Sequence, residues 1–167
     1  MMPQDFFALD KVLFVRSVVV AMPGFQPSDE GVDIQPVNDI SVLPDEQRPG
    51  TFFASMKTVI NENKADSFPY HIEMECVCGL HQIDQSLSPQ DALRGATITA
   101  HSVLYGAIRE SIAWITGRQP WGAINLGLST LNIRRADPAS TAPAKAKSGK
   151  PVDSKLPDGE PIVPKPE

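Results

Sequence analysis

The chain has 167 residues, 41% of them hydrophobic, which is enough for one domain with a core and a tail. A formal net charge of -5 leaves no basic footprint for nucleic acid. No run of about eighteen uncharged apolar residues occurs, so no membrane span is expected.

Leu13 to Ala21 could pass for a signal-peptide core, but Arg16 interrupts it, and acidic Asp5 and Asp10 stand where a basic start belongs. A cytoplasmic protein is expected, and two cysteines fit a reducing compartment. Lys11 to Met22 is Val-rich and loosely alternating, which reads as a strand. Val12, Phe14, Arg16, Val18 and Val20 fall on one face; Leu13, Val15, Ser17, Val19 and Ala21 fall on the other. Two apolar faces call for cover on both sides. A helix can cover one, and the other needs a second protomer or a bound client. Pro23-Gly24 ends the strand. Phe25 to Pro49 reads as a loop with a short second strand, because its apolar pieces at Val32–Ile34 and Ile40–Leu43 are brief.

Thr51 to Ile60 is the next strand, Asn61 to Ser67 a hairpin loop, and Phe68 to Ile83 the longest strand, with a possible bulge at Gly79. Ser88-Pro89-Gln90-Asp91 starts a helix: a Ser cap, Pro at the first helical position and an acid in the first turn. A short helix to about Gly95 should lead into a long one. That long helix carries Ile98, Leu104, Tyr105, Ile108, Ile112 and Ile115 as its apolar stripe. Val103, Ala107 and Trp114 form a second strip. Gly106 costs about 1 kcal/mol relative to Ala in a helix interior, which close packing of a neighbour would offset. Gly117 and Pro120 stop the helix. Strands first and helices afterwards argue for an α+β domain with an antiparallel sheet.

Residues 136–167 are rich in Pro, Ala, Lys and Ser with almost no large apolar side chains, so disorder is expected there. Such a tail is most often a solvated leftover or an engineered end; a tethered recognition segment is the sharper alternative. The folded domain is then residues 1–135.

Cys76 and Cys78, with His71 and His81 nearby, invite a zinc reading. Alternation argues against it, because the cysteines share one face and the histidines the other. Buried thiols are the default, and no metal or cofactor is expected. His101 lacks a facing Ser and an oriented acid, since Ser102 is adjacent on the helix and does not face it. No catalytic site is expected. Trp121 differs from Tyr105 and Trp114, which read as core. It follows a helix stop, between Pro120 and Gly122, where it can hang over a groove walled by the apolar segment Ile124–Leu131. The candidate groove residues are Phe25, Trp121, Ile124, Leu126, Leu128 and Leu131.

The run YGAIRESI at Tyr105–Ile112, ITGR at Ile115–Arg118, Trp121 and the INL of Ile124–Leu126 resembles the SecB family of protein-export chaperones. The resemblance covers about Phe6 to Ile133, and its specific part is about thirty residues long. The Pro-Val-Asn-Phe that usually follows is absent; LSTLNI at Leu128–Ile133 replaces it, and the second long helix is missing. The family implies four antiparallel strands, no ATP, no metal and a homotetramer built as a dimer of dimers. Val18, Val20, Tyr105, Ile108, Arg109, Ile112 and Trp114 would make the protomer contacts. Arg109-Glu110 is then either a solvated salt bridge or a tie between protomers. The resemblance implies a holdase for unfolded polypeptide. Its divergence favours a dedicated chaperone of an antitoxin in a toxin–antitoxin system; the alternative is export, handing precursors to the SecA translocase. An enzyme or a purely structural subunit is a remoter reading.

Overall fold

The computed structural model describes residues 6–29 and 31–131. The chain divides into two units, Met1–Asn132 and Ile133–Glu167, and the described residues all lie in the first. The tail expected at residues 136–167 lies outside the described residues. In order, the elements are β1 (Phe7–Leu9), β2 (Leu13–Ala21), β3 (Val37–Pro44), β4 (Thr51–Ile60), β5 (Tyr70–Gln82) and α1 (Pro89–Thr116).

The strands make one antiparallel sheet in an α+β arrangement. β5 pairs with β4 on one side, and β4 pairs with β3. On its other side β5 pairs with both β1 and β2. Five strands thus fill four positions, where four strands were expected. The extra count comes from a break in the edge strand at Asp10–Val12. There the Asp10 N–H donates to the Gly79 carbonyl at 3.0 Å. A Cβ on Gly79 would stand 2.6 Å from Asp10 Oδ2, so glycine is what lets the edge chain cross so closely.

The bulge expected at Gly79 lies elsewhere. β4 and β5 stay in register through Phe53↔Gly79. The irregularity is in β2, between Phe14, opposite Cys76, and Arg16, opposite Glu75. One additional residue flips the faces that follow. Phe14 therefore shares a face with Ser17, Val19 and Ala21, while Arg16, Val18 and Val20 join Leu13 on the other. β3 has eight residues and is no short fragment: Val37 through Pro44 pair without a break against Val59 through Phe52.

α1 is a single helix of 28 residues, not a short helix followed by a long one. Ser88 caps it, its Oγ accepting from the Asp91 N–H at 3.2 Å and donating to Asp91 Oδ2 at 2.6 Å. Gly95 does not end it. The lost Cβ there makes room for the Phe7 ring, which would lie 2.8 Å from one.

The core lies between α1 and one face of the sheet. Ile72, Met74, Cys76 and Leu80 of β5 and Met56 and Ile60 of β4 meet Ala92, Ala96, Ala100, Leu104, Ile108 and Ile112 of α1. The helical residues recur every four positions, so they form one stripe that winds slowly round the helix as it crosses the sheet, and its alanines bring the helix close. Trp114, expected in the core, is 62% exposed, because it lies about 200° round the helix from Ile112. The Arg118 guanidinium lies 4.1 Å from its ring centroid. Ile98 is exposed for the same reason.

The other face of the sheet is uncovered. Leu13, Val20, Val37, Leu43 and Phe53 are exposed there. Between them Glu73 bridges Arg16 at 2.8 Å and Lys57 at 2.9 Å. Hydrogen bonding from Lys57, with the nearby Arg16 charge, holds the Glu73 carboxyl below its usual range.

Candidate functional site

Where α1 ends, the chain turns back, and Gly122 takes φ +81°, a conformation that favours glycine. The turn is anchored on Tyr70, the first residue of β5. The Tyr70 hydroxyl accepts the Trp121 N–H at 3.0 Å and donates to the Gly122 carbonyl at 3.0 Å. Burial pushes the phenol up from its ordinary value. The Trp121 indole N–H donates to the Met22 carbonyl at 3.1 Å. Phe25 meets the Trp121 ring edge-on, with centroids 5.5 Å apart. Both aromatics are half-buried. Phe25 follows the stop of one strand and Trp121 the stop of the helix, and the fold brings these two groove candidates together as one aromatic corner.

From Ala123 to Leu131 the chain has neither helix nor strand. Burial alternates from Ala123 to Gly127 as in extended backbone. Among the described residues this segment makes no backbone–backbone hydrogen bond. Side chains of α1 hold it instead. Thr116 Oγ1 accepts the Ile124 N–H at 2.8 Å, and the Tyr105 hydroxyl donates to the Gly127 carbonyl at 2.9 Å. His101 Nε2 and Ser129 Oγ are hydrogen-bonded at 3.1 Å. The His101 and Tyr105 rings stack, 4° from parallel. Burial pushes the imidazole below its usual value.

This geometry redistributes the six groove candidates. Ile124 and Leu126, read as open groove wall, are 6% and 7% exposed and belong to the core. Leu128 is 90% exposed. Leu131 is half-buried, like Phe25 and Trp121. The protomer-contact candidates separate as well. Tyr105, Ile108 and Ile112 are buried inside their own chain, because they sit on the helix stripe that faces the sheet and the returning segment. Val18 and Val20 lie on the uncovered sheet face, and Arg109 and Trp114 on the outer side of α1.

Two cavities accompany these surfaces. One of about 480 Å³ is lined by Gly106, Arg109, Glu110, Ala113, Asn125 and Leu126. It joins the Arg109-Glu110 and Asn125-Leu126 halves of the sequence signature. Among the described residues, neither Arg109 nor Glu110 forms an ion pair. A second, of about 410 Å³, opens on the uncovered face among Leu13, Leu43, Phe53 and Val77, with Asp10 and Lys11 at its rim. The sequence reading missed this one, although strict alternation in β3 and β4 already put Leu43 and Phe53 opposite each other on one face.

Cys76 and Cys78 lie under α1, and burial pushes the Cys76 thiol up to about 12. His71 bonds the Asn61 carbonyl, and His81 sits between Asp10 and Thr51 across the sheet from the thiols. Among the described residues, no group of three His, Cys, Asp or Glu is placed to hold a metal ion. No described helix is long and apolar enough to cross a membrane.

An antiparallel sheet covered on one face by a long helix is a SecB-like fold, shared with a solved SecB-like chaperone. One solved structure of that fold is the Rv1957 SecB-like chaperone of Mycobacterium tuberculosis, in complex with a ChAD peptide from the Rv1956 HigA1 antitoxin. It aligns with a TM-score of 0.59 and 16% identity, over 76% of this chain and 93% of that one. A protein of unknown function from Streptococcus agalactiae aligns with a TM-score of 0.47 and 8% identity, over 73% of this chain and 97% of that one. No family model matches the sequence, and no curated protein does.

Proposed function

We propose that this protein is a holdase chaperone that binds unfolded polypeptide at apolar surface without nucleotide, and that its dedicated client is an antitoxin. The observation that carries this reading is the alignment over nearly the whole of a SecB-like chaperone that was solved with an antitoxin peptide. The Phe25–Trp121 corner supports it, since paired half-exposed aromatics give contact area at little cost in side-chain entropy. Contacts made mainly by adaptable apolar surface would be weakly selective for sequence. Delivery to SecA is the export alternative.

The decisive test pairs two clients: a reduced and alkylated, permanently unfolded protein, and the HigA1 antitoxin from which the ChAD peptide of the similar structure comes. Suppressed aggregation of both, with tighter binding of the antitoxin, is expected. Aggregation unaffected by equimolar protein would overturn the holdase. We further propose a homotetramer, because the uncovered sheet face and Trp114 leave apolar area that a lone protomer exposes. Light scattering should then give about four protomer masses at micromolar concentration, and a stable monomer would overturn the assembly.

A further inference from the structure

The returning segment is held in an unusual way for a piece of chain that covers core residues. Its backbone partners are side chains of one helix: Thr116 takes an N–H and Tyr105 gives to a carbonyl. His101 of the same helix bonds the side-chain hydroxyl of Ser129 at the far end. Residues 124, 127 and 129 meet residues 116, 105 and 101 in that order, so the segment runs antiparallel to α1. Between these contacts Ile124 and Leu126 fill the apolar floor at every second position. Polar groups that bond backbone atoms, over a floor that takes alternate apolar side chains, are what an extended peptide of any suitable sequence requires.

We propose that Thr116, Tyr105 and His101 form a binding site for an extended apolar polypeptide, that residues 123–131 fill it in the free protein, and that a client binds by displacing them. The hold is graded along its length, which suits exchange. The near end is buried at Ile124 and Leu126. Beyond Gly127, Leu128 stands in solvent and the His101–Ser129 bond is the remaining side-chain tie among the described residues. A client can enter from that end and advance as the segment peels away. The segment lowers apparent affinity by the fraction of time that it occupies the site. This inference rests on the holdase reading and names the site and its resident occupant.

The test uses the full chain and the reduced, alkylated protein as probe. In the wild type, bound probe should speed amide exchange across residues 123–131, since those residues are expelled; unchanged or slowed exchange there overturns the exchange mechanism. A Leu126→Ser, Ser129→Ala variant weakens the segment and leaves the helix ladder intact. It should bind the probe about tenfold more tightly. Adding Tyr105→Phe, which removes a ladder hydroxyl but keeps the ring, should return part of that gain. Equal affinity of the wild type and the segment variant, with exchange showing the segment released, overturns the proposal while leaving the holdase standing. Binding of the probe by neither removes the holdase and this site with it.

Discussion

The two faces of this sheet share the same strands and differ in nearly everything else. On the α1 side, β5 presents Tyr70, Ile72, Met74, Cys76, Cys78 and Leu80, all buried. On the other side the same strand presents Glu73, Glu75, Val77 and His81, with Glu73 paired to Arg16 and Lys57 across strands and apolar residues left open around them. The covered face is one continuous packing problem solved within the chain. The uncovered face is a surface with an ionic middle and apolar ends, and its energetics depend on what meets it. The Trp121 corner and the returning segment lie at the margin of the covered face, partly in the core and partly in solvent. A single residue there can therefore matter to both stability and binding.

The largest expected effect belongs to the covered face. Ile108→Ala removes a fully buried side chain from the middle of the helix stripe and should cost about 2–5 kcal/mol of stability. A loss under about 1 kcal/mol in denaturant unfolding would mean that the stripe is loosely packed. Trp121→Ala comes next. A buried Trp costs about 3–5 kcal/mol on truncation, and this one is half-buried, so about 2 kcal/mol is expected, including the lost bond to Met22. That is more than a ring hanging free over a groove would cost.

On the uncovered face, Phe53→Ala should cost under about 1 kcal/mol in an isolated protomer, because half its surface is already in water. A larger loss in the assembled protein, absent on dilution, would show that this face is covered by another copy.

The smallest effect is a pH dependence at the margin. Burial lowers the His101 pKa from 6.5, so the unfolded chain takes up its proton at a higher pH than the folded chain does. The contribution is therefore complete above about pH 6.5 and is lost as pH falls from there toward the lowered folded value. The protection of segment amides near Ser129, taken relative to intrinsic exchange at each pH, should fall over that window, and His101→Gln should flatten the response.

Much of the sheet was legible because alternation is a local signal. β4 begins at Thr51 and ends at Ile60 as its pattern requires, and the cysteines and histidines of β5 fall on opposite faces. The β2 faces were misread after Phe14, since a bulge adds a residue that no periodicity reveals. The helix was legible in its capping at Ser88 and its stop at Gly117, but Gly95 looked like a boundary because its real reason, the Phe7 ring, comes from a distant strand. Trp114 was misplaced by its hydrophobicity; its angle about the helix axis decides, and that angle was already readable from Ile112. For the site, the candidates Phe25 and Trp121 lie against each other, while Tyr70, Tyr105 and Thr116 were not foreseen as backbone partners, nor His101 as a partner of the Ser129 hydroxyl. Nothing in their spacing says that a chain returns over them.

The chain has only two tryptophans, which makes the central claim directly measurable. In a Trp114→Phe variant, Trp121 is the sole reporter, and the substitution falls on the exposed side of α1. Titration with the reduced, alkylated protein should change Trp121 emission saturably, with the midpoint matching the binding constant measured by calorimetry. Emission that stays constant while calorimetry records binding would place the client away from this corner and contradict the site.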